Sequence, residues 1–572
     1  MREEEEMTNR STRRHRTWLL LILVVALVAA ACGGGDGGEA PATTAPTTAA
    51  PGSTEGTEPG GEAGRPEIPV LRLAGGTDWG YPSPFGFRRG PGYVRASFIF
   101  DTLVWKDPDG TIIPWLAESW EMSDDGTQWV FQLRDDVRWH DGTPFTAEDV
   151  VFTLEYTREN PAGLPLRAAS TVESIEATGD HEVTFTLTDP YAAFLTNIAA
   201  AMQIIPRHIW EGVEDPRSMR TPEAVVGTGP YRLEEYNQED GSYLYVANPD
   251  FFLGEPAVKR IEFLPVANEL LALAEGEIDA GGPGVQAGVT EDLLARFRED
   301  PYRTLEAPGE WAMDLKFNMT KAPFDDVRFR QAVAYAIDRK DMVERLLLGQ
   351  GVPGNPGWLS PANPWYNPNV PSYDRDVAKA AQLLDEMGLV DTDGDGVREL
   401  PDGTPLSYEL PYASSDSARN GELLQTYLAE VGIEVRPVAL DRGIRDDRAS
   451  TGDYDMILVG HGGLGSDPDF MRLTFHSKSK SKSFIRPHGF VNEEFDKVAG
   501  MQLRQLDPEA RRELVWRMQE IVAEQLPVIA LYHPTRYWFY DSTVLDGWHY
   551  TSGGLAAGIP MALDKKLFVD GG

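Results

Sequence analysis

The chain of 572 residues has a single cysteine, Cys32, and only nine histidines. One thiol cannot form an internal disulfide, a Cys-x-x-Cys redox pair or a cysteine-cluster site for zinc or iron–sulfur. Basic side chains are scarce too: 52 lysines and arginines stand against 90 aspartates and glutamates, a formal charge of −38. A surface of that sign repels phosphates, which argues against nucleic acid as a partner. Also missing are a Gly-x-Ser-x-Gly elbow, a His-Glu-x-x-His pair and a phosphate-binding loop. Ninety acidic residues make some close carboxylate pair inevitable, so such a pair carries no weight for a secreted hydrolase. The sequence carries none of these signatures of an enzyme.

Long apolar runs are nearly absent. The exception is Trp18–Ala31, preceded by Arg10, Arg13, Arg14 and Arg16. It falls short of the roughly 20 apolar residues that cross a membrane, and a basic segment before a short apolar core describes a secretory signal peptide. Glu3–Glu6 fit such a signal poorly, and a start at Met7 gives a cleaner one. Cys32 ends the run, after Ala29-Ala30-Ala31 and before Gly33-Gly34-Gly35. This resembles a bacterial lipobox, with Ala29 where leucine is usual. The resemblance implies a signal peptide over 1–31 and a lipid on Cys32 that anchors an extracytoplasmic protein to the outer face of the cell membrane. Residues 32–67, rich in Gly, Pro, Ala, Thr and Glu, bury too little apolar surface to offset their ordering entropy and read as a flexible linker.

From Ile68 the composition is globular. Val70–Ala74, Trp129–Leu133, Val183–Leu187, Gly432–Val438 and Tyr454–Val459 read as strands. Helical spacing covers Thr146–Thr157, with Thr146 as N-cap, and Val327–Ile337, Asp376–Met387, Asn420–Val431 and Pro508–Gln525. Strand and helix alternate, so the fold class is α/β. Trp115, Trp120, Trp129 and Trp139 read as core.

The run Pro114-Trp115-Leu116-Ala117-Glu118-Ser119-Trp120, then Trp139-His140-Asp141-Gly142-Thr143-Pro144-Phe145-Thr146, resembles the family 5 extracellular solute-binding proteins. These are the peptide- and nickel-type binding components of ABC importers. Gly227-Thr228-Gly229-Pro230-Tyr231, the block from Pro323 to Ala332, Gly489–Asp496 and Gln525–Ile529 follow in the family's order. The resemblance implies a periplasmic-binding-protein-like α/β fold of two lobes joined by a hinge. Lobe one would comprise 68–105, 226–308 and 528–572, with an inserted subdomain at 106–225, and lobe two 309–527. The crossings would fall near Ala307–Lys316 and Gln525–Tyr532. It further implies a monomeric lipoprotein that hands a peptide or small-molecule ligand to permease subunits. With no phosphate-binding loop in this chain, a separate ATPase must power them.

By the same resemblance the ligand lies extended, pairing its backbone with Arg88–Tyr93 and Gly460–Phe470. The implied ligand-binding residues are Arg89, Gly92, Tyr93, His461, Gly463, Asp467 and Asp469, with Asp467 or Asp469 holding the peptide's amino group. Gly460-His461 stands where the family usually has a tryptophan. Trp79, Tyr81, Trp358 and Trp365 are further aromatic candidates on cleft loops.

No cofactor is expected, with one open position. Asp391, Asp393, Asp395 and Glu399 have the spacing of an EF-hand-like calcium loop, with Gly396 at the sixth place. Asp402 rather than Glu at the twelfth, and Arg398 at the eighth, depart from it; a plain surface hairpin is the alternative. His461, His476 and His488 do not have the spacing of a local nickel site.

Overall fold

The computed structural model describes residues 67–572 except 161–168, 283–288, 308, 417, 463–466, 480–482 and 556–557. The expected signal peptide, Cys32, Gly463 and nearly all of the linker lie outside the described residues. Among the described residues no helix is long and apolar enough to cross a membrane.

Leu71–Ala74 buries Leu71 and Leu73 and leaves Arg72 and Ala74 half-buried, the period-two pattern of a strand. It pairs in parallel with Arg260–Leu264 and Ala280–Gly281 near the middle of a seven-stranded sheet. The order is Tyr302–Ala307, Arg536–Asp541, Ala280–Gly281, Leu71–Ala74, Arg260–Leu264, Ser242–Ala247, Tyr231–Asn237. Residues between Leu71–Ala74 and Tyr231–Asn237 form a separate sheet, ordered Ala117–Met122, Gln128–Leu133, Glu182–Leu187, Val172–Gly179. Beside it lies the helix Ala147–Glu159, opened by a capping box between Thr146 and Asp149 that satisfies two of its free N–H groups. Trp115, Trp129 and Trp139 are buried in a core continuous with the seven-stranded sheet, and Trp120 packs against it.

The second lobe is built on strands with no exposed face. Ala312–Phe317, Met456–His461 and Val528–Pro534 are buried at every position, so both sides of their sheet must be covered. Its antiparallel order is Gly351–Pro353, Val528–Pro534, Ala312–Phe317, Met456–His461. Met313, Leu315 and Phe317 face a core with the helices Val327–Ala336, Val377–Glu386 and Arg419–Ala429. Ala312 on the other face meets the core of Glu493–Arg504 and Pro508–Gln525.

The chain crosses between the two sheets twice. The first crossing, with 309–311 described, falls inside the expected stretch. The second corrects the expectation that lobe one resumes at 528. Val528–Pro534 belongs to the second sheet, held by its register with Ala312–Phe317 (Leu315 opposite Ile529), and the crossing is at Thr535.

Candidate functional site

Asp314 and Lys316 are charged residues in a fully buried strand, and each must find partners there. Asp314 Oδ2 accepts from Trp358 Nε1 at 2.9 Å and lies 2.8 Å from His461 Nε2. Burial pushes the Asp314 carboxyl up, but the charge and hydrogen bond of His461, with Lys316 and Trp358, outweigh it and hold it below the ordinary value. Lys316 Nζ donates to the carbonyls of Phe484, at 3.0 Å, and Ile485, while burial brings its pKa down to about 7. His461 is therefore a strut that ties the end of its strand to the strand leaving the hinge.

Several expected ligand contacts are instead packed into the protein. Trp358 is fully buried, stacks on Phe470 at 5.7 Å and adopts φ +79°, a strained value for a bulky residue. The segment Arg88–Tyr93 is not extended. A helix, Arg89–Ser97, begins there, and Pro91 sits in its first turn, where a missing N–H costs nothing. Gly92 is wedged so that a Cβ would fall 2.4 Å from the Trp79 carbonyl oxygen. Tyr93 is buried and donates to the Ala201 carbonyl at 3.0 Å. Gly92, Tyr93 and Trp358, expected at the ligand, are thus packed against the protein's own groups. Tyr81 is buried too, donating to the Thr221 carbonyl, and Trp365 lies beneath the guanidinium groups of Arg511 and Arg512. Trp79 stays half-buried, its backbone N–H given to Tyr243 Oη at 2.9 Å.

Both carboxylates expected to hold an amino group are already paired. Arg511 donates to Asp467 through two nitrogens, at 2.7 and 2.5 Å. Asp469, fully buried at the start of the helix Asp469–Phe475, accepts from Arg472 at 2.5 and 2.8 Å, Gln502 at 3.0 Å and Tyr191 Oη at 3.2 Å. Tyr191 belongs to the inserted subdomain, so this last bond joins the two lobes. Ala192 N–H to the Leu503 carbonyl at 2.9 Å and Arg504 to Asp189 at 2.9 Å join them on the same side. Arg89 reaches across elsewhere, pairing with Asp446 of the helix Arg442–Thr451 and lying 5.1 Å over the Phe484 ring.

The first crossing holds residues that sequence reasoning passed over. Trp311 packs against Gly460, where a Cβ would lie 2.1 Å from its Cζ2; only glycine leaves room for that ring. Glu310 lies near Lys106 and Arg536, and Lys106 in turn near Asp467. Burial raises the Glu310 carboxyl to about 7 against the opposing charges of Lys106 and Arg536. Burial also lowers Lys106 to about 8, and its ammonium donates to the Gly554 carbonyl at 3.0 Å. The one available signal was a Glu-Trp pair at a lobe crossing.

Asp391, Asp393, Asp395 and Glu399 each place an oxygen within 4.8 Å of the others, the only such acidic or histidine group among the described residues. Their oxygens accept the loop's own donors: Asp391 those of Gly394 and Gly396, Glu399 those of Thr392.

The model for bacterial extracellular solute-binding proteins, family 5 Middle, matches residues 111–483. The chain is 29% identical over 420 residues to the nickel-binding periplasmic protein of Escherichia coli K12, covering 70% of this chain and 78% of that one. It is 28% identical over 483 residues to the dipeptide-binding protein of the same organism, covering 79% and 87%. Among solved structures, the oligopeptide-binding protein AppA of Bacillus subtilis with a nonapeptide superposes with TM-score 0.73 at 22% identity, over 87% of this chain and 99% of that one.

Proposed function

Because the chain belongs to the bacterial extracellular solute-binding proteins of family 5, which bind solutes for ABC importers rather than transform them, we propose that it captures a peptide between its two lobes and delivers it to a membrane permease powered by a separate ATPase. The observation that carries the peptide reading is the strand Met456–His461. Its end runs to Gly462, where the second lobe meets Pro560 of the first. An extended peptide laid against that strand end gains main-chain hydrogen bonds whatever its side chains. The similarity to dipeptide and di/tripeptide binders over about four-fifths of the chain supports the same reading. Closure follows from differential binding: a ligand touching both lobes stabilises the closed form. Lipid anchoring through Cys32, a monomeric state and a position at the outer face of the cell membrane are part of the proposal.

Mass spectrometry of material released by denaturing the purified protein tests it. Recovery of short peptides supports the reading. Recovery of a nickel complex, haem or an oligosaccharide, as the names of other relatives and neighbours suggest, overturns it. A structural calcium ion in the Asp391 loop is a separate proposal, supported by the convergence of its four carboxylates. A calcium-dependent rise in melting temperature that Asp391→Asn abolishes would support it, and no shift would sink it.

A further inference from the structure

The pairing of Asp467 with Arg511, and of Asp469 with Arg472, Gln502 and Tyr191, leaves neither carboxylate free for a ligand. Glu310 differs. It lies on residues 309–311, by which the chain passes from the first sheet to the second. It is half-buried and has no hydrogen bond or ion pair among the described residues. The cations near it are committed to other oxygens, Lys106 to the Gly554 carbonyl and Arg536 to that of Pro560. Beside it, the half-buried Trp311 indole packs against Gly460 and lies within 3.6 Å of a Cβ position on Gly462.

We propose that Glu310 and Trp311 form a cation subsite at the hinge floor of the cleft, which takes the ammonium group of an amino-bearing ligand. The proposal rests on the peptide reading and names the chemistry that the site selects. An ammonium gives Glu310 the charge-assisted hydrogen bonds it lacks, and an indole face adds cation–π attraction. A ligand with a neutral end leaves the carboxylate unpaired in a half-dry site, so selectivity comes from that penalty as much as from the new contact.

The charged groups facing Glu310 are Lys106 and Arg536, with Asp467 beyond Lys106. Since burial holds Glu310 near 7, it is largely neutral at pH 5.5 and largely ionised at pH 7.5, while Lys106, near 8, stays mostly charged over that window. Affinity for an amine therefore rises with pH through that window.

Calorimetry on the intact chain, refolded from denaturant to free it of carried-over ligand, tests this with four probes: tri-alanine, N-acetyl-tri-alanine, spermidine and mannohexaose. Wild-type protein is expected to bind tri-alanine at least tenfold more tightly than its acetylated form. Glu310→Gln should erase that preference, weakening tri-alanine while the acetylated probe binds at least as tightly as it does to wild type, which shows that the variant still folds and closes. Wild type should also gain several-fold in tri-alanine affinity from pH 5.5 to 7.5, and the variant should not. Tri-alanine binding that ignores Glu310→Gln overturns the subsite and leaves the peptide reading standing. Spermidine binding that Glu310→Gln abolishes, with no peptide binding, supports the subsite and overturns the peptide reading. Binding of mannohexaose alone, or of no amine at all by wild type, overturns the subsite.

Discussion

Asp314→Ala removes one carboxylate that serves two buried donors. Trp358 Nε1, at 2.9 Å, and His461 Nε2, at 2.8 Å, share Asp314 Oδ2, and all three residues are shielded from water. Leaving a buried donor unpaired costs about 1–3 kcal/mol, so two cost roughly 2–6. Asp314 Oδ1 has no partner among the described residues, and its removal returns part of that; the expected net loss is about 2–4 kcal/mol. For a lobe of this size that lowers the melting temperature by roughly 5–15 °C. Asp314→Asn keeps an acceptor oxygen and loses only the charge, so it should cost about half as much. Urea unfolding of the intact chain, followed by tryptophan fluorescence, reads both variants. A loss below about 1 kcal/mol for Ala, or equal losses for Ala and Asn, would refute the shared-acceptor argument. The pH dependence has a definite sign. The folded Asp314 carboxyl is held below its ordinary value, so its contribution is complete above the unfolded pKa, near 4, and is lost as pH falls through the folded one. The gap between wild type and Asp314→Ala should therefore narrow only in acid.

Three further outcomes are expected. A double-mutant cycle of Arg89→Ala and Asp446→Ala, read as ligand affinity, should give a coupling of about 1 kcal/mol, because the pair is half-buried and bridges the lobes; zero coupling means the pair does not hold the closed form. His533 is buried and His140 half-buried, and the pKa of each is brought down by burial to about 4. The unfolded chain takes those protons near 6.5, so stability is complete above that pH and is lost between 6.5 and 4, by up to about 3 kcal/mol per histidine. Urea midpoints at pH 7.5 and 4.5 should differ less in His533→Gln than in wild type, and an unchanged difference counts against the argument. Gly460→Ala puts a Cβ 2.1 Å from Trp311 Cζ2 and should cost about 1–3 kcal/mol by overpacking, partly restored in Gly460→Ala with Trp311→Leu. Thermal melting of the two variants decides it, and a Gly460→Ala protein as stable as wild type would sink it.

Local chemistry wrote much of the fold into the sequence. Thr146 with Asp149, Asp376 and Asp507-Pro508 cap helices where capping residues and helical spacing place them, because these interactions span only a few residues. The apolar run Tyr454–Val459 announced a buried strand for the same reason. The helices Arg339–Leu347, Arg442–Thr451 and Glu493–Arg504 were not read, since their apolar stripes are thin and packing completes them. The candidate site was less legible. Asp467 and Asp469 were found as a motif, yet nothing local foretells that Arg511 and Arg472 would neutralise them.

The sequence by itself determined the family, the α/β class, the core tryptophans and the helix starts, all of which rest on residue type and short-range spacing. Tertiary structure alone decided which charges are free. His461 became a strut on Asp314, and Glu310 was left without a partner among the described residues at a crossing. The physical reason is that a side chain's charge and hydrogen-bonding capacity are inherited from its residue type, whereas its partners come from segments hundreds of residues away, brought together only when the two lobes pack.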